Sequence, residues 1–328
     1  MRHVNSRCPA ALRLLPLFLA LLAGCGQPPS QPLSSPAPAS AAKAPAQAPA
    51  PVPKSGVEMV LLPASEFTMG DDDGEEDEQP AHRVQVSAFW MDVSEVTQAS
   101  FQALMGRNPA KFTGPDRPVE RISWHAAIQY CNMRSQRDGL TPCYDLKTLA
   151  CHFDADGYRL PTEAEWEHAC RAGTTTRWSF GDDPGQLKDH AWYKPNAAKK
   201  THPVKSKRPN PWGLYDLYGN VAEWCQDFYA DSYGDGNPVQ DPRGPVAGED
   251  RVLRGGSWAV DEDRCRSSAR DFEAPGLADV CFGYEAYGFR CVRRANPPAG
   301  ARNGDSAGDA RPPAAASTRT GAPRPGAP

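Results

Sequence analysis

The chain has 328 residues with 36 basic and 40 acidic side chains, a formal net charge of −4. Without a basic excess or stripe it lacks the footprint of a nucleic-acid-binding protein, and with a single strongly apolar stretch it is not a polytopic membrane protein. Nine of the 34 prolines fall between Pro28 and Pro53 and seven more after Asn296, so a more ordinary middle of roughly 240 residues remains, enough for one domain with a sizeable core.

The chain opens with a basic region (Arg2, His3, Arg7, Arg13) and an apolar run from Leu14 to Ala23. That run is too short to span a bilayer and reads as a secretory signal over residues 1–24. Leu22-Ala23-Gly24-Cys25 resembles the lipobox of bacterial lipoproteins. The resemblance implies a lipid on Cys25, removal of what precedes it, and an envelope location, with Gly26 favouring the outer membrane and a domain facing the periplasm. Residues 25–56 are nearly all Pro, Ala, Ser and Gln, too little apolar surface to offset backbone entropy, and predict a semi-rigid stalk. Residues 296–328, with Arg302, Arg311, Arg319 and Arg324 among prolines and alanines, predict a disordered tail.

Within residues 57–295 the first strand signals are Glu58–Leu62 and Arg83–Met91. Between them stand seven acids in eight positions, Asp71 to Glu78, without the ligand spacing of a calcium loop, which predicts a solvated turn. Three helices have start signals. Thr97 precedes Phe101, Leu104 and Met105, and Gly106 ends that segment; Ser123 precedes Trp124, Ala127, Ile128 and Cys131. Thr162-Glu163-Ala164-Glu165 reads as a capping box, with Trp166, Ala169 and Cys170 on one face. Beyond residue 172 the chain is rich in Gly, Pro, Asp and Asn, and only Arg251–Arg254 and Gly288–Val292 look like strands. Once Cys8 and Cys25 are set aside, eight cysteines remain, an even number suited to disulfides in an exported protein, and no spacing points to zinc.

Several segments, in order, resemble the formylglycine-generating enzyme, or sulfatase-modifying factor, family: Phe67-Thr-Met-Gly70, Glu95-Val-Thr97, Gly157-Tyr-Arg-Leu-Pro-Thr-Glu-Ala-Glu-Trp-Glu167, Gly213-Leu-Tyr-Asp-Leu-Tyr-Gly-Asn220, Glu223-Trp224, Arg254-Gly-Gly-Ser-Trp258 and Gly288-Phe-Arg290. The resemblance implies an α+β fold, a compact mixed domain of low regular secondary structure related to the C-type lectin fold. It implies a calcium ion held by Asp216, Glu223 and the carbonyls of Gly219 and Val221, a hard-oxygen set suited to that ion. It pairs Cys131 with Cys291, and it places the expected partner of Cys170 at or near Ser267, leaving Cys170–Cys265 open. Cys143 and Cys151 close a short loop and are candidates for each other; Cys225 and Cys281 are left for each other or for exchange.

Family enzymes hold Cu(I) between two cysteines and oxidise a substrate cysteine with O₂. Here the first of those positions is Val260 and the second is Cys265 on a gap-free count only. One thiolate does not make that soft, two-sulfur site, so copper is not expected and Cys265 is a doubtful catalytic residue. The expectation is an accessory or binding module for an exported protein or peptide, with Trp224, Arg254, Ser257, Trp258, Arg266, Arg270 and Arg290 as a candidate groove, or else as internal partners of Glu163, Glu165 and Glu167. The alternative is an oxidoreductase modifying a side chain of an exported partner.

Overall fold

The computed structural model describes residues 56–237, 239–276 and 284–295. The signal and lipobox with Cys25, nearly all of the stalk, the tail and Cys281 lie outside the described residues. Fifteen regular elements run along the described chain: β1 (Met59–Leu62), β2 (Ser65–Met69), β3 (His82–Val86), β4 (Phe89–Asp92), α1 (Gln98–Met105), α2 (Trp124–Asp138), β5 (Tyr158–Arg159), α3 (Glu163–Arg171), α4 (Leu187–His190), β6 (Ala222–Phe228), β7 (Val239–Gln240), β8 (Arg251–Arg254), β9 (Arg270–Glu273), β10 (Tyr287–Gly288) and β11 (Val292–Arg294). They form three small sheets, ordered β1-β4-β11-β5, β10-β6-β8-β9 and β2-β3-β7, with loops making up most of the rest. This is the mixed α+β architecture expected from the sequence.

Local signals place the helices. Thr97 and Ser123 accept from the amides of Ser100 and Ala126, satisfying orphan donors at the starts of α1 and α2, and Gly106 ends α1 in the left-handed conformation. At α3 the Thr162 hydroxyl accepts from the Glu165 amide (3.2 Å) while the Glu165 carboxylate accepts from the Thr162 amide (2.8 Å).

Two expected strands divide. The run from Arg83 to Met91 breaks at Ser87, whose amide and hydroxyl both donate to the Asp241 carboxylate at 2.7 Å. Side-chain bonding replaces the ladder there, so β3 and β4 join different sheets. Gly288–Val292 divides likewise, β10 pairing parallel with β6 and β11 antiparallel with β4 and β5. A strand that sequence patterning missed, Ser65–Met69, pairs with β3 over five residues.

Trp166, Trp178, Met91 and Val252 belong to one apolar cluster, and Trp124, Tyr130, Phe101, Phe289 and Trp224 to a second. All nine residues of α3 are buried, rather than one apolar face, so its acids need internal cations. Glu165 takes Arg159 through two short bonds (2.6 and 2.7 Å), and Glu163 takes Arg270 (2.7 Å). Glu167 bonds Arg254, Arg171 and the Gly70 amide. The acidic run is likewise not wholly solvated. Glu78 is fully buried and forked by Arg266, because a guanidinium left alone at that depth would lack its counter-charge, while Asp72, Asp73, Glu75 and Glu76 stay exposed.

Asp227 caps the amino end of α3 by accepting from the Glu163 amide (2.9 Å). Burial, and then the charge of Glu163, push its pKa up to about 8. A folded pKa above the unfolded value of about 4 means that the fold binds this proton more tightly. The resulting stability is present below about pH 4 and is lost as pH rises toward 8. Asp227→Asn keeps a neutral acceptor, so urea unfolding should show it gaining on the wild type between pH 5 and pH 8. An unchanged difference across that range would contradict this assignment.

Candidate functional site

After β8 the chain makes a tight path through Gly255, Gly256 and Ser257, the Arg254-Gly-Gly-Ser-Trp258 segment picked out in the sequence. A cavity of about 140 Å³ lies against this path, lined among others by Ala222, Gly256, Ser257, Val260, Ala269 and Arg270. Small residues open it: a methyl group on Gly256 would sit 2.8 Å from the Cys265 sulfur and 2.6 Å from the Arg264 carbonyl.

Val260 contributes an alkyl wall to that cavity. Cys265 is fully buried, and burial pushes its thiol up to about 12, with the Ser257 amide acting in the other direction. Its carbonyl accepts from the Trp178 indole (2.6 Å). A thiol held that high is protonated at neutral pH and is a poor nucleophile. The residues present therefore do not supply a two-thiolate copper site here: the first position is valine, and Cys265, which takes the second on a gap-free count only, is a buried, protonated thiol.

The seven residues considered for an open groove do not line one together. Trp224, Arg254, Ser257, Arg266, Arg270 and Arg290 are buried, and Trp258 is half-buried. Arg254, Arg266 and Arg270 are the internal partners of Glu167, Glu78 and Glu163, and Arg290 is forked onto Glu223 (2.7 Å for both bonds). Trp224 donates to the Ile122 carbonyl and Trp258 to the Glu285 carbonyl. A fold with few ladders fixes its loops through such pairs, and this draws arginines inward. Of the seven, Ser257 and Arg270 reach the cavity wall. Ala222, Ala269 and Ala286 also line it and escaped sequence reasoning, since small residues from separate segments carry no local signal.

Of the proposed calcium residues, Asp216, Gly219 and Val221 lie between α4 and β6, and Glu223 is the second residue of β6. Asp216, Gly219 and Asn220 all have positive φ (58°, 76° and 58°), which bends the segment tightly. A methyl group on Gly219 would lie 2.1 Å from the Trp192 carbonyl oxygen, so only glycine fits. Asp216 accepts from the Lys205 amide (2.7 Å), and Glu223 also accepts from the Trp166 indole (3.0 Å). Glu95 joins them, accepting from Asn220 (2.8 Å) and the Val221 amide (3.0 Å); its role was not read from the sequence, although its segment was among the family motifs. Burial pushes the Asp216 carboxyl up to about 6, and burial with the charges of Asp216 and Glu223 pushes Glu95 well above the carboxylate range. Of these carboxylates Arg290 is bonded to Glu223 alone, so three buried carboxyl groups crowd one guanidinium and Glu95 is held protonated; a cation here would favour the ionised form of all three. Among the described residues, no group of three His, Cys, Asp or Glu side chains is placed to hold a metal ion, so a site here draws on backbone carbonyls. In charge and in its hard oxygens the set fits calcium.

All seven described cysteines are thiols. The Cys131 and Cys291 sulfurs are 3.7 Å apart in a fully buried pocket. Ser267 bonds Tyr218 (2.9 Å), and the two together hydrogen-bond the Cys170 thiol, whereas Cys265 faces the backbone of Ser257 and Gly219. Cys143 and Cys151 sit on adjoining antiparallel segments, where the His152 amide donates to the Cys143 carbonyl (2.7 Å). Cys225 is fully buried.

The family described as "Sulfatase-modifying factor enzyme 1-like domain" matches residues 45–295. The chain is 33% identical over 298 residues to a formylglycine-generating enzyme of Streptomyces coelicolor, covering 74% of this chain and 91% of that protein. It is 32% identical over 232 residues to the chaperone protein LppX of Paenibacillus barcinonensis, covering 59% of this chain and 78% of that protein. Among solved structures, Treponema denticola variable protein 1 superposes with a TM-score of 0.67 at 38% identity, covering 73% of this chain and 95% of its own.

Proposed function

The chain belongs to the sulfatase-modifying factor enzyme 1-like domain family, and from that premise we propose that it is an envelope-anchored binding or accessory module for an exported protein or peptide. The observation carrying this reading is the lack of a thiolate pair: Val260 at the first copper position is an alkyl wall, and Cys265, at the second on a gap-free count, is a buried thiol pushed up to about 12. The cavity beside them persists without that chemistry and offers a partner's side chain a small, mainly apolar recess. The LppX relative is named a chaperone protein, which agrees with a domain that engages another polypeptide. Lipid on Cys25 would tether the domain at the outer membrane, facing the periplasm. Among the described residues no helix is long and apolar enough to cross a membrane.

Calcium would be held by Asp216, Glu223 and the carbonyls of Gly219 and Val221. Bound there, it would supply positive charge to the buried carboxylates and brace the loop leading into β6; it takes no part in chemistry.

A second reading, an oxidoreductase acting on a partner's side chain, is favoured by the 33% identity to the Streptomyces coelicolor enzyme over most of that protein's length. The module reading is tested in cells by placing a photo-crosslinking residue at Ala259, exposed beside the cavity. It should trap one discrete exported protein, and Val260→Trp, which narrows the recess, should abolish the adduct. A diffuse smear, or an adduct indifferent to Val260→Trp, would overturn it.

A further inference from the structure

Between residues 188 and 208 the chain carries seven lysines and arginines against one acid, Asp189, although the protein as a whole is net negative. Three of the seven cations have carboxylate neighbours: Lys194 with Asp261 (2.6 Å), Lys205 with Glu58 (2.7 Å) and Arg208 with Asp189 (4.0 Å). Among the described residues, Lys188, Lys199, Lys200 and Lys207 have no carboxylate within ion-pair distance. Lys188, Lys199 and Lys200 are exposed, and Lys207 is half-buried.

These charges gather around an aromatic step. The half-buried Trp192 indole stacks on His202 at 3.7 Å between ring centres, and the Lys207 ammonium sits 3.9 Å from the centre of the Trp192 ring. Lys207 also donates to the Lys188 carbonyl, bringing both ends of the segment together. Burial, and then the charges of Arg117, Lys200 and Lys207, lower the pKa of His202, so these three cations converge on one spot. The buried Nη1 of Arg117 has no hydrogen-bond partner among the described residues. Besides Asp261 and Glu58, already paired with Lys194 and Lys205, Asp189 and the exposed Asp116 are acids near this face.

We propose that this Trp192–Lys207 face is a docking surface for an anionic phospholipid bilayer. Lysines snorkelling beside a half-buried tryptophan suit a headgroup region, where the ring meets the interface and the ammonium groups meet phosphates. The face would also hold the neighbouring cavity in one orientation to the membrane, since the Lys194 amide donates to the Val260 carbonyl (3.0 Å). The setting rests on the envelope-anchored reading, but the headgroup chemistry does not.

The test is co-sedimentation of the full Cys25→Ser chain with vesicles of phosphatidylcholine alone or mixed 3:1 with phosphatidylglycerol. Neutral vesicles report whatever the apolar leader binds by itself. The expected result is tighter binding to the anionic vesicles, reduced at high salt. Lys199→Gln/Lys200→Gln should weaken it by roughly 20- to 30-fold, about five-fold per lysine. Arg137→Gln/Lys147→Gln, with the same net charge change at exposed positions elsewhere, should leave it unchanged. Equal binding to both vesicles, or equal loss in the two double variants, would overturn the proposal. Capture by soluble polyphosphate without anionic-vesicle binding would also overturn it and assign the face to a soluble polyanion. Failure here leaves the anchor standing, since the mass of the Cys25 peptide from cell-made protein reads that separately.

Discussion

Replacing Glu167 by glutamine is expected to lower the stability of this domain by about 3–5 kcal/mol, the range for breaking a buried ion pair by removing one partner. Glu167 is fully buried; one oxygen accepts from the Gly70 amide (2.9 Å) and Arg171 (2.8 Å), and the other accepts from Arg254. Glutamine keeps the shape and one acceptor but leaves two buried guanidinium groups short of their counter-charge. Arg254 is 1% exposed and also bonds the carbonyls of Ser267, Ser268 and Ala269, so it cannot turn to water without unseating the loop between Cys265 and β9. Thermal unfolding of the variant should fall by about 6–20 °C, a domain of this size losing roughly 2–4 °C per kcal/mol. The loss should be nearly independent of salt, because buried charges are poorly screened. A loss under 1 kcal/mol would mean that the buried pairs of Glu167 do not hold the fold as described above.

The second large effect is expected at Gly219. Its positive φ of 76° alone costs a non-glycine residue about 1–2 kcal/mol. A methyl group there also meets the Trp192 carbonyl at 2.1 Å, backbone against backbone, so the turn must open. Gly219→Ala should therefore cost clearly more than Gly106→Ala, where φ is similar at 71° and nothing lies within 4 Å. The comparison separates strain from collision. Opening the turn displaces Gly219 and Val221, so calcium should raise the melting temperature of the wild type and of Gly106→Ala but not of Gly219→Ala. Equal losses in the two alanine variants would remove the steric argument.

What could be read from the sequence was local. The Thr162 capping box needs only neighbours along the chain, and it formed as read; the starts of α1 and α2 did likewise. The partners of the arginines were not, since Arg254 finds Glu167 across 87 residues and Arg266 finds Glu78 across 188. Nothing in a sequence distinguishes an arginine facing a groove from one forked onto a buried carboxylate when both stand beside glycine and serine. The same distance hid Glu95, which reaches Asn220 and Val221 across 125 and 126 residues, and hid the alanines that make room for the cavity. Ser87 shows a subtler limit. Strand alternation continues through it, and only its bonds to Asp241 explain why the strand stops.

The central claim is that the domain keeps the family scaffold while lacking its copper chemistry. The most direct measurement is Cu(I) titration of the purified full chain, followed by oxygen uptake with a cysteine peptide carrying a sulfatase motif. With Val260 in one position and a buried, protonated Cys265 in the other, binding should be weak and unchanged by Cys265→Ser, and oxygen should not be consumed above the copper-only background. Stoichiometric copper binding abolished by Cys265→Ser, together with conversion of the peptide cysteine to formylglycine, would contradict the account and return the protein to the enzymes.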